Sequence, residues 1–437
     1  MYILSISRSW RINLKEAGDK GWPFANVYKG EEDKMGRRKL LVGVVLVVTL
    51  GFFLSTSQGW GQSNAGSAKK ITIGGVVSLS GWFSAIDAAY WAETKAAAQM
   101  INERGGVTIK GQKYDIELIA EDNRSTIDGT AAAANKLVYD KGVKFIIGPP
   151  AFFSSASSPL LKQNKITNIL SWCTSQPGEM GPEAPYTFLG FNGPLGCTRA
   201  SLAAIKKFYP SAKTACVIIP DDGAKPYVVP QIKKAFEEQG IAMVGDTIAY
   251  PNEMVDFSPI VAKVAAIKSD LIMHVSGIQE HFAKIVKGLR EGGDFRPYGG
   301  AVFIDARELS AVAGKEFATN VFTNTLNADD PNSPPLMKEL VKRMRQKEPN
   351  RPYFFFSEAN GLWILARAME AAQSLDPMAV KDKLEKMGTV ETLFGPGTLC
   401  GTKTYGIANH AIAHQGQITL IEKGEKKWSG WFDVKLP

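Results

Sequence analysis

The stretch Lys144-Phe-Ile-Ile-Gly-Pro-Pro-Ala-Phe-Phe-Ser-Ser-Ala-Ser-Ser158 is the most informative part of this sequence about its fold. Residues 145–147 form a short apolar run that Gly148 and two prolines end, a pattern typical of a buried strand running into a turn. The serines that follow precede a segment predicted to begin a helix at Pro159 or just before it. Their hydroxyls can cap that helix, and the free amide hydrogens of its first turn form an anion site.

A second copy of this arrangement follows at once. Residues 166–170 are another apolar run, which ends in Ser171-Trp-Cys-Thr-Ser-Gln-Pro177. Two neighbouring strands then deliver hydroxyl-rich loops to one edge of a sheet, where open α/β sheets bind ligands. Each serine taken singly also fits a simpler role as a helix cap. The clustering after two successive strands is what predicts a binding site.

The chain around this stretch alternates strand and helix patterns. Before it, strands are predicted at 70–77 and 114–120, with helices at 88–104 and from a Thr126 cap to 138. After a turn-rich interval at 178–194, the alternation restarts and gives a second unit of similar size. Its helices are predicted at 197–208, 227–239, 257–267 and 282–291, and its strands at 214–219, 241–248, 271–275 and 298–304. This order predicts an α/β protein with two Rossmann-like lobes, each a doubly wound, mainly parallel sheet.

The last part of the chain is more helical. Helices are predicted at 335–346, 354–374 and 379–387, and closing antiparallel strands at 418–421 and 428–434. The helix at 354–374 carries few charges, which indicates substantial burial.

The N-terminal region resembles a secretory leader that begins at Met35 rather than at Met1. Met35-Gly-Arg-Arg-Lys39 is basic, residues 40–54 are apolar, and small residues follow to Gly61. Fifteen apolar residues are short for a membrane-spanning helix, which needs about 20. We expect residues 1–34 to be an artefact of the assigned start, residues 35–61 to be a signal peptide and residues 62–69 to be a linker. The alternative is an uncleaved anchor. No cysteine follows the apolar run closely, so a lipoprotein is not expected.

Charge and composition exclude several classes of protein. The chain has 51 Lys and Arg against 43 Asp and Glu, a net charge of +8, and half of this excess lies in the first 61 residues. The remainder has no long basic block, so no nucleic-acid partner is expected. With 45% hydrophobic and 22% charged residues, the chain is ordinary for a soluble globular protein.

The sequence carries no recognisable catalytic motif. The four histidines lie outside Gly-x-Ser-x-Gly and His-Glu-x-x-His settings, and no phosphate-binding loop occurs. His410 and His414 have a metal-like spacing but no helical pattern and no companion acid, so a solvent-facing structural role is expected. The cysteines at 173, 197, 216 and 400 are too far apart for a metal site, and disulfides and free thiols both stay open. We therefore expect no catalysis, no metal and no cofactor.

Several short motifs occur in a characteristic order. They are Ile71-Thr-Ile-Gly with Leu79-Ser-Gly81, Ala98-Gln-Met-Ile-Asn-Glu-Arg-Gly-Gly106, Phe145-Ile-Ile-Gly148, Asp256-Phe-Ser258, Asp270-Leu-Ile-Met273 and Ala313-Gly314. Together, and behind a leader, they make the chain resemble the extracytoplasmic receptors of ABC transporters typified by the leucine/isoleucine/valine-binding protein. The resemblance covers about residue 70 to the C-terminus.

The resemblance implies two lobes joined by three crossings of the chain, with a ligand cleft between them. Lobe 1 would comprise residues 70–192 plus about 325–405, and lobe 2 residues 193–324 plus about 406–437. Lobes of this kind close on a small-molecule ligand by a hinge motion. The expected protein is a periplasmic monomer that delivers its ligand to a membrane permease. A ligand-sensing domain of the same fold is the alternative, and it would need a signalling segment for which the chain leaves no room.

The family's contact positions map onto this chain residue by residue. The hydroxyl after the third strand matches Ser154 or Ser155, and Trp82 lies in the loop that follows the first strand. The next contact loop matches residues 171–176 and includes Cys173. Its Thr174 and Ser175 would supply the hydroxyl and amide donors that bind a ligand carboxylate without an arginine. Lobe 2 would contribute Tyr227 and a lining loop at Gly277.

The ligand itself has three candidate classes. An amino acid of the branched-chain type leads, with an amide or an aromatic carboxylate as alternatives. An ammonium would bind an acid after the 298–304 strand; Asp305 fits that position with a gap, whereas an ungapped match places Val302 or Phe303 there. The 275–279 loop lacks the tyrosine of amino-acid binders. Five aromatic residues lie in predicted cleft loops and favour a flat ligand, unless they only pack the lobes: Trp82, Phe83, Phe152, Phe153 and Trp172.

Overall fold

The computed structural model describes residues 69–437 except 174, 175, 222, 276, 277, 328, 350, 352 and 353, and it omits the side chains of residues 151 and 152. The predicted leader and its alternative start therefore lie outside the described residues. In the part that is described, no helix combines the length and the apolar character needed to cross a membrane.

The first stretch of the chain alternates strands and helices as expected. It contains β1 (Lys69–Val77), α1 (Ser84–Glu103), β2 (Val107–Ile109), β3 (Gln112–Asp122), α2 (Ile127–Asn135, continued by a π-helical turn at Lys136–Asp140), β4 (Phe145–Ile147), α3 (Ala151–Ser154), α4 (Ser158–Asn164), β5 (Thr167–Leu170) and β6 (Thr187–Leu189). The predicted cap of α2 is confirmed, since Thr126 Oγ1 accepts a hydrogen bond from Gly129 N at 2.9 Å.

The middle stretch repeats the pattern. It contains α5 (Gly193–Phe208), β7 (Thr214–Pro220), α6 (Lys225–Glu238), β8 (Ala242–Met243), β9 (Ile248–Tyr250), α7 (Ser258–Ala266), β10 (Leu271–His274), α8 (Gln279–Glu291), β11 (Tyr298–Gly300), α9 (Ala306–Ala313) and β12 (Val321–Thr323). The last stretch contains α10 (Pro335–Lys347), α11 (Ser357–Ala372), α12 (Pro377–Lys386), β13 (Thr389–Thr392), β14 (Gly395–Cys400), α13 (Thr402–Tyr405), β15 (Ala411–Ala413), β16 (Gly416–Glu422) and β17 (Glu425–Phe432).

These strands form two separate sheets among the described residues. The first has the order β13-β14-β15-β6-β5-β4-β1-β3-β2, and the second has the order β17-β16-β12-β11-β10-β7-β8 with β9 also beside β7. The pairs from β6 to β3 in the first sheet and from β12 to β8 in the second are parallel. The expected fold of two α/β lobes is confirmed.

The chain crosses between the two sheets three times, at residues 190–192, 324–334 and 414–415. The first and third crossings are joined by Asn192, whose Nδ2 donates to His414 O and whose Oδ1 accepts from His414 N, both at 3.0 Å. The second and third are joined by Gln417, whose Oε1 accepts from Asn327 N and whose Nε2 donates to Asp330 Oδ2, both at 2.7 Å. These crossings form the three-segment hinge between the lobes.

Helix α11 lies in the core of the first lobe, as its low charge predicts. Its side chains from Ser357 to Ala366 are all buried, and Trp363 is among the largest fully buried residues. The helix packs against α1 on one side and against the sheet on the other.

Several sequence predictions of secondary structure were wrong in detail. The strand expected at 241–248 is two short strands, β8 and β9, because Gly245 adopts a positive φ of 69° between them. The strand expected at 298–304 ends at Gly300, and an irregular segment follows before α9. The turn-rich interval at 178–194 contains β6, whose three residues are too few to show a period.

The histidines at 410 and 414 are structural but not solvent-facing, which corrects the expectation. Both are buried. His410 bonds Thr187 O and Glu385 Oε1, each at 2.8 Å, and His414 Nδ1 bonds Gln415 O at 2.7 Å. Burial lowers the pKa of His414 to about 4. The four cysteines are free thiols, and three of them are buried.

Candidate functional site

The carboxyl ends of the central parallel strands mark the ligand edge of each lobe. In the first sheet the chain order reverses between β1 and β4, and in the second it reverses between β7 and β10. Ligands of open α/β sheets bind at such switch points, because the loops on either side diverge there and leave a crevice. The predicted contact loops follow these four strands and their neighbours β5 and β11.

The loop after β1, residues 78–83, is held by three side chains. Asp87 Oδ2 accepts from Ser78 N at 2.5 Å, and Asp122 Oδ1 accepts from the N–H groups of residues 79 and 80 at 3.0 and 3.2 Å. Ser125 Oγ accepts from the N–H of residue 83 at 3.1 Å. Trp82 projects from this loop with 62% of its surface exposed. A large aromatic side chain on a fixed loop is preorganised for contact with a ligand.

The hydroxyl-rich loops after β4 and β5 lie side by side, as their order in the sequence predicts. Ser158 Oγ donates a hydrogen bond to Gly178 O and so joins the two loops. Ser154 is buried in α3, whereas Ser155 is exposed. The ring of Phe153 lies 6.1 Å from that of Trp82, which places the β1 loop beside them.

The loop after β5 has a buried anchor at its base. Cys173 is buried, and its Sγ donates to Glu179 Oε2 at 3.4 Å, an oxygen that also accepts from Gln176 N at 3.1 Å. Gln176 faces the second lobe, since a Cβ placed on Gly223 of the β7 loop would lie 3.6 Å from Gln176 Oε1. The remaining predicted contacts of this loop, Thr174 and Ser175, lie outside the described residues.

Two predicted residues of the second lobe, Tyr227 and Asp305, follow the carboxyl ends of strands β7 and β11. Tyr227 stands in the first turn of α6 and is 39% exposed. Asp305 caps α9: its Oδ1 accepts from Glu308 N at 2.8 Å, and its Oδ2 accepts from the Arg307 guanidinium at 3.2 Å. The helix cap and the Arg307 contact together occupy both carboxylate oxygens of Asp305, so no bound ligand is needed to explain this acid. Gly277 lies outside the described residues.

An interlobe aromatic cluster, formed by Trp172, Phe191, Phe303 and Phe355, joins the lobes. Phe303 follows β11 in the second lobe, and its ring lies 5.3 Å from Phe355, 6.0 Å from Phe191 and 6.3 Å from Trp172. Phe191 and Phe355 are buried, while Trp172 and Phe303 are only half-buried. Parts of these last two rings therefore stay accessible to solvent.

The sequence reading missed two members of this cluster as site residues. Phe355 belongs to the run Phe354-Phe355-Phe356, for which the sequence pattern predicts only the start of a buried helix. Phe191 lies in an interval that showed only turn signals. The signal in the sequence was the run of three consecutive phenylalanines. Adjacent side chains point in different directions, so a single core cannot bury all three, and at least one ring is available for a contact elsewhere.

Phe355 is held in place by a buried acid on α1. Glu93 Oε1 accepts from Phe355 N at 3.1 Å and Oε2 accepts from Phe356 N at 2.6 Å, and the carboxylate also pairs with the Arg351 guanidinium. Glu93 is fully buried, and this burial raises its pKa to about 6. The segment before α11 is thus fixed to the first lobe through its backbone.

The two-lobed fold, the three-segment hinge and the loops at the switch points agree with the family to which the sequence is similar. The family model described as periplasmic binding protein matches residues 70–425. The chain belongs to the periplasmic binding protein family. Its resemblance to the leucine/isoleucine/valine-binding receptors is confirmed, and proteins of this kind bind solutes for ABC transporters rather than catalyse reactions.

Individual relatives differ in what they bind. The Leu/Ile/Val-binding protein homolog 2 of Brucella abortus is 28% identical over 312 residues, which are 69% of this chain and 78% of the relative. The substrate-binding protein LivJ of Streptococcus pneumoniae, solved with isoleucine, has a TM-score of 0.66 and 21% identity, covering 84% of this chain and 100% of LivJ. A solute-binding protein of Rhodopseudomonas palustris, solved with 4-hydroxybenzoate, has a TM-score of 0.65 and 17% identity, covering 84% and 98%. At such identities these structures share the fold alone.

Proposed function

We propose that this chain is the solute-binding subunit of an ABC importer and that its ligand is a small aromatic carboxylate held between the lobes. The main support for this class of ligand is the position of Phe303. An ungapped match to the amino-acid receptors places Val302 or Phe303 where those receptors have an acid. Of these two residues Val302 is buried and Phe303 is half-buried, and the Phe303 ring lies edge to face with that of Trp172 at 6.3 Å.

The ring of Phe303 suits an aromatic ligand better than an ammonium group. A buried ammonium needs hydrogen-bond acceptors, and its burial without them is costly. A phenyl ring offers none, whereas two half-buried aromatic rings favour stacked or edge-to-face contact with a third. Trp82 and Tyr227, both exposed at the ligand edges of their lobes, add further aromatic surface.

The carboxylate would bind to the hydroxyl-rich loops of the first lobe. Ser155 is exposed beside the β5 loop, and Thr174 and Ser175 complete the predicted set of donors. Hydroxyls and backbone amides suffice to bind a carboxylate, because hydrogen bonds to a charged acceptor are about twice as strong as neutral ones. Cys173 and Ser154, both buried, would support these loops rather than touch the ligand.

An amino acid of the branched-chain type is the second candidate. Asp305 favours it, because the residue lies two positions after Phe303 at the same edge of the second sheet. To bind an ammonium, its carboxylate would have to exchange the Arg307 contact for the ligand. The Brucella relative and LivJ carry names or ligands of this class.

The transport role has further parts that we propose with it. The leader at residues 35–61 would export the chain to the periplasm without lipid attachment, as a monomer. Closure of the lobes around the ligand would create the surface that a membrane permease recognises.

A thermal-shift screen of the purified protein tests the ligand class. We expect hydroxybenzoates to raise the unfolding midpoint, because a ligand that binds only the native state at 100 times its dissociation constant adds about 2.7 kcal/mol of stability. Aliphatic amino acids and amides should leave the midpoint unchanged. A shift with leucine, isoleucine or valine that disappears in Asp305→Ala would replace this proposal with the second candidate.

A further inference from the structure

Two acidic side chains lie buried against each other beneath the β1 loop. Asp87 is in the first turn of α1 and Glu358 is in the first turn of α11, and they are 0% and 1% exposed. Asp87 Oδ2 accepts from Ser78 N, but Asp87 Oδ1 and both carboxyl oxygens of Glu358 form no hydrogen bond among the described residues. Because α11 packs against α1, the two carboxyl groups are close enough to interact electrostatically.

Among the described residues around this pair, no free positive charge is present. From α1, Glu93 also faces Glu358, and its charge is matched by Arg351, which pairs in turn with Glu348 at the end of α10. From the sheet, the neighbours are Ser78 after β1, which presents its N–H and its hydroxyl to Asp87, and Gly148 after β4, where an added Cβ would lie 3.7 Å from Glu358 Oε1. Of the three buried carboxyl groups, only that of Glu93 pairs with a guanidinium.

Two carboxylates in contact in a buried site cannot both be ionised. Burial, together with the charges of Asp87 and Glu93, raises the pKa of Glu358 well above its usual range, and burial raises the pKa of Asp87 as well. A proton on Glu358 that is donated to Asp87 Oδ1 would satisfy two of the three oxygens that otherwise form no hydrogen bond.

We propose that Asp87 and Glu358 share a proton in the native protein and that this proton positions the ligand loop at residues 78–83. Asp87 links the shared proton to the loop. One of its oxygens accepts the shared proton, and the other accepts a hydrogen bond from the first N–H of the loop. Loss of the proton places two like charges in contact, and the repulsion moves Asp87 away from Ser78. The loop that carries Trp82 then loses one of its three supports.

The sign of the pH dependence follows from the raised pKa values. Unfolded carboxyl groups titrate near pH 4, so the folded pair holds a proton that the unfolded chain releases. The stability that the pair contributes is complete below about pH 4 and is lost as pH rises through the folded pKa. The β1 loop loosens over the same upper range. The expectation that ligand affinity decreases in this pH range rests on the function proposed above. The shared proton and the loosening of the loop do not depend on that function.

Glu358→Gln is the decisive variant, because an amide donates to Asp87 Oδ1 at every pH. The matched control is Glu370→Gln on the same helix, where the half-buried carboxylate accepts from Thr108 N at 3.2 Å and pairs with Arg367. Asp87→Asn is the reciprocal variant, and it takes the place of Glu358→Gln if that protein does not fold.

Two measurements without ligand test the proposal. Between pH 6 and 9 we expect the unfolding midpoint of the parent protein to fall by at least about 2 °C more than that of Glu358→Gln. In hydrogen exchange corrected for pH, we expect residues 78–83 to lose protection about tenfold in the parent and to keep it in the variant. Glu370→Gln should follow the parent in both. Parallel pH profiles for the parent and Glu358→Gln would overturn the shared proton, and a shifted midpoint with unchanged protection of residues 78–83 would overturn the positioning role.

Binding of 4-hydroxybenzoate across the same pH range separates this inference from the proposed function. An affinity that falls about tenfold in the parent and stays level in Glu358→Gln supports both. Absence of binding at every pH, with the two ligand-free results as expected, contradicts only the ligand class. An equal pH dependence of affinity in both proteins contradicts the positioning role.

Discussion

We expect Glu93→Ala to lose about 3–5 kcal/mol of its free energy of unfolding, because removing one partner of a buried ion pair leaves the other unpaired. Glu93 is fully buried, and the Arg351 side chain that it neutralises is only 10% exposed. The variant would also leave the N–H groups of Phe355 and Phe356 without their acceptors, and each buried unsatisfied group costs about 1–3 kcal/mol. Urea denaturation measures the loss.

The control for this prediction lies further along the same helix. Glu103 at the end of α1 pairs with Arg343 at 2.6 Å, but its side chain is 60% exposed. Exposed pairs contribute about 0–1 kcal/mol, so Glu103→Ala should be nearly neutral. Equal losses in the two variants would contradict the view that Glu93 anchors the segment before α11.

We expect Phe303→Ala to weaken binding of an aromatic carboxylate about 10- to 100-fold. The change removes a ring that contacts Trp172 and Phe355 and that is half-buried in the interlobe aromatic cluster. Loss of an aromatic contact together with its buried area costs about 1.4–2.8 kcal/mol, which corresponds to that range of dissociation constants. Titration calorimetry with 4-hydroxybenzoate measures it.

Phe295→Ala is the matched control for the cleft ring. Phe295 lies in the same lobe, is 46% exposed and packs its ring 5.5 Å from the Arg290 guanidinium, in the loop between α8 and β11. Its removal should leave ligand affinity unchanged. If Phe303→Ala binds as tightly as the parent, the ring does not contribute to the ligand site and the argument against an amino acid loses its basis.

Local patterns in the sequence were sufficient to predict the framework. The strand at residues 145–147 and the cap at Thr126 depend on neighbouring residues alone, so their signals are complete within a few positions. The order of strands and helices then predicted two parallel sheets and the edge at which the loops meet. The capping box of Asp305 and Glu308 was also readable, because an acid three residues after a capping side chain is its usual signature.

The contacts that define the site were not readable from the sequence. Trp172, Phe303 and Phe355 come together only because the crossings of the chain bring two lobes into contact, and no local period records a pairing at that separation. The burial of the acidic side chains could not be predicted from the sequence for a related reason. Asp87 and Glu93 lie on an Ala-rich helix where charged residues normally face water, and the packing of other elements against α1, α11 above all, buries them.

Titration of the purified protein with 4-hydroxybenzoate and with isoleucine, in the same buffer at pH 7, tests the central claim most directly. The account predicts saturable binding of one 4-hydroxybenzoate per chain and no heat of binding with isoleucine. Binding of isoleucine without binding of 4-hydroxybenzoate would contradict it, and would assign the cleft to an amino acid.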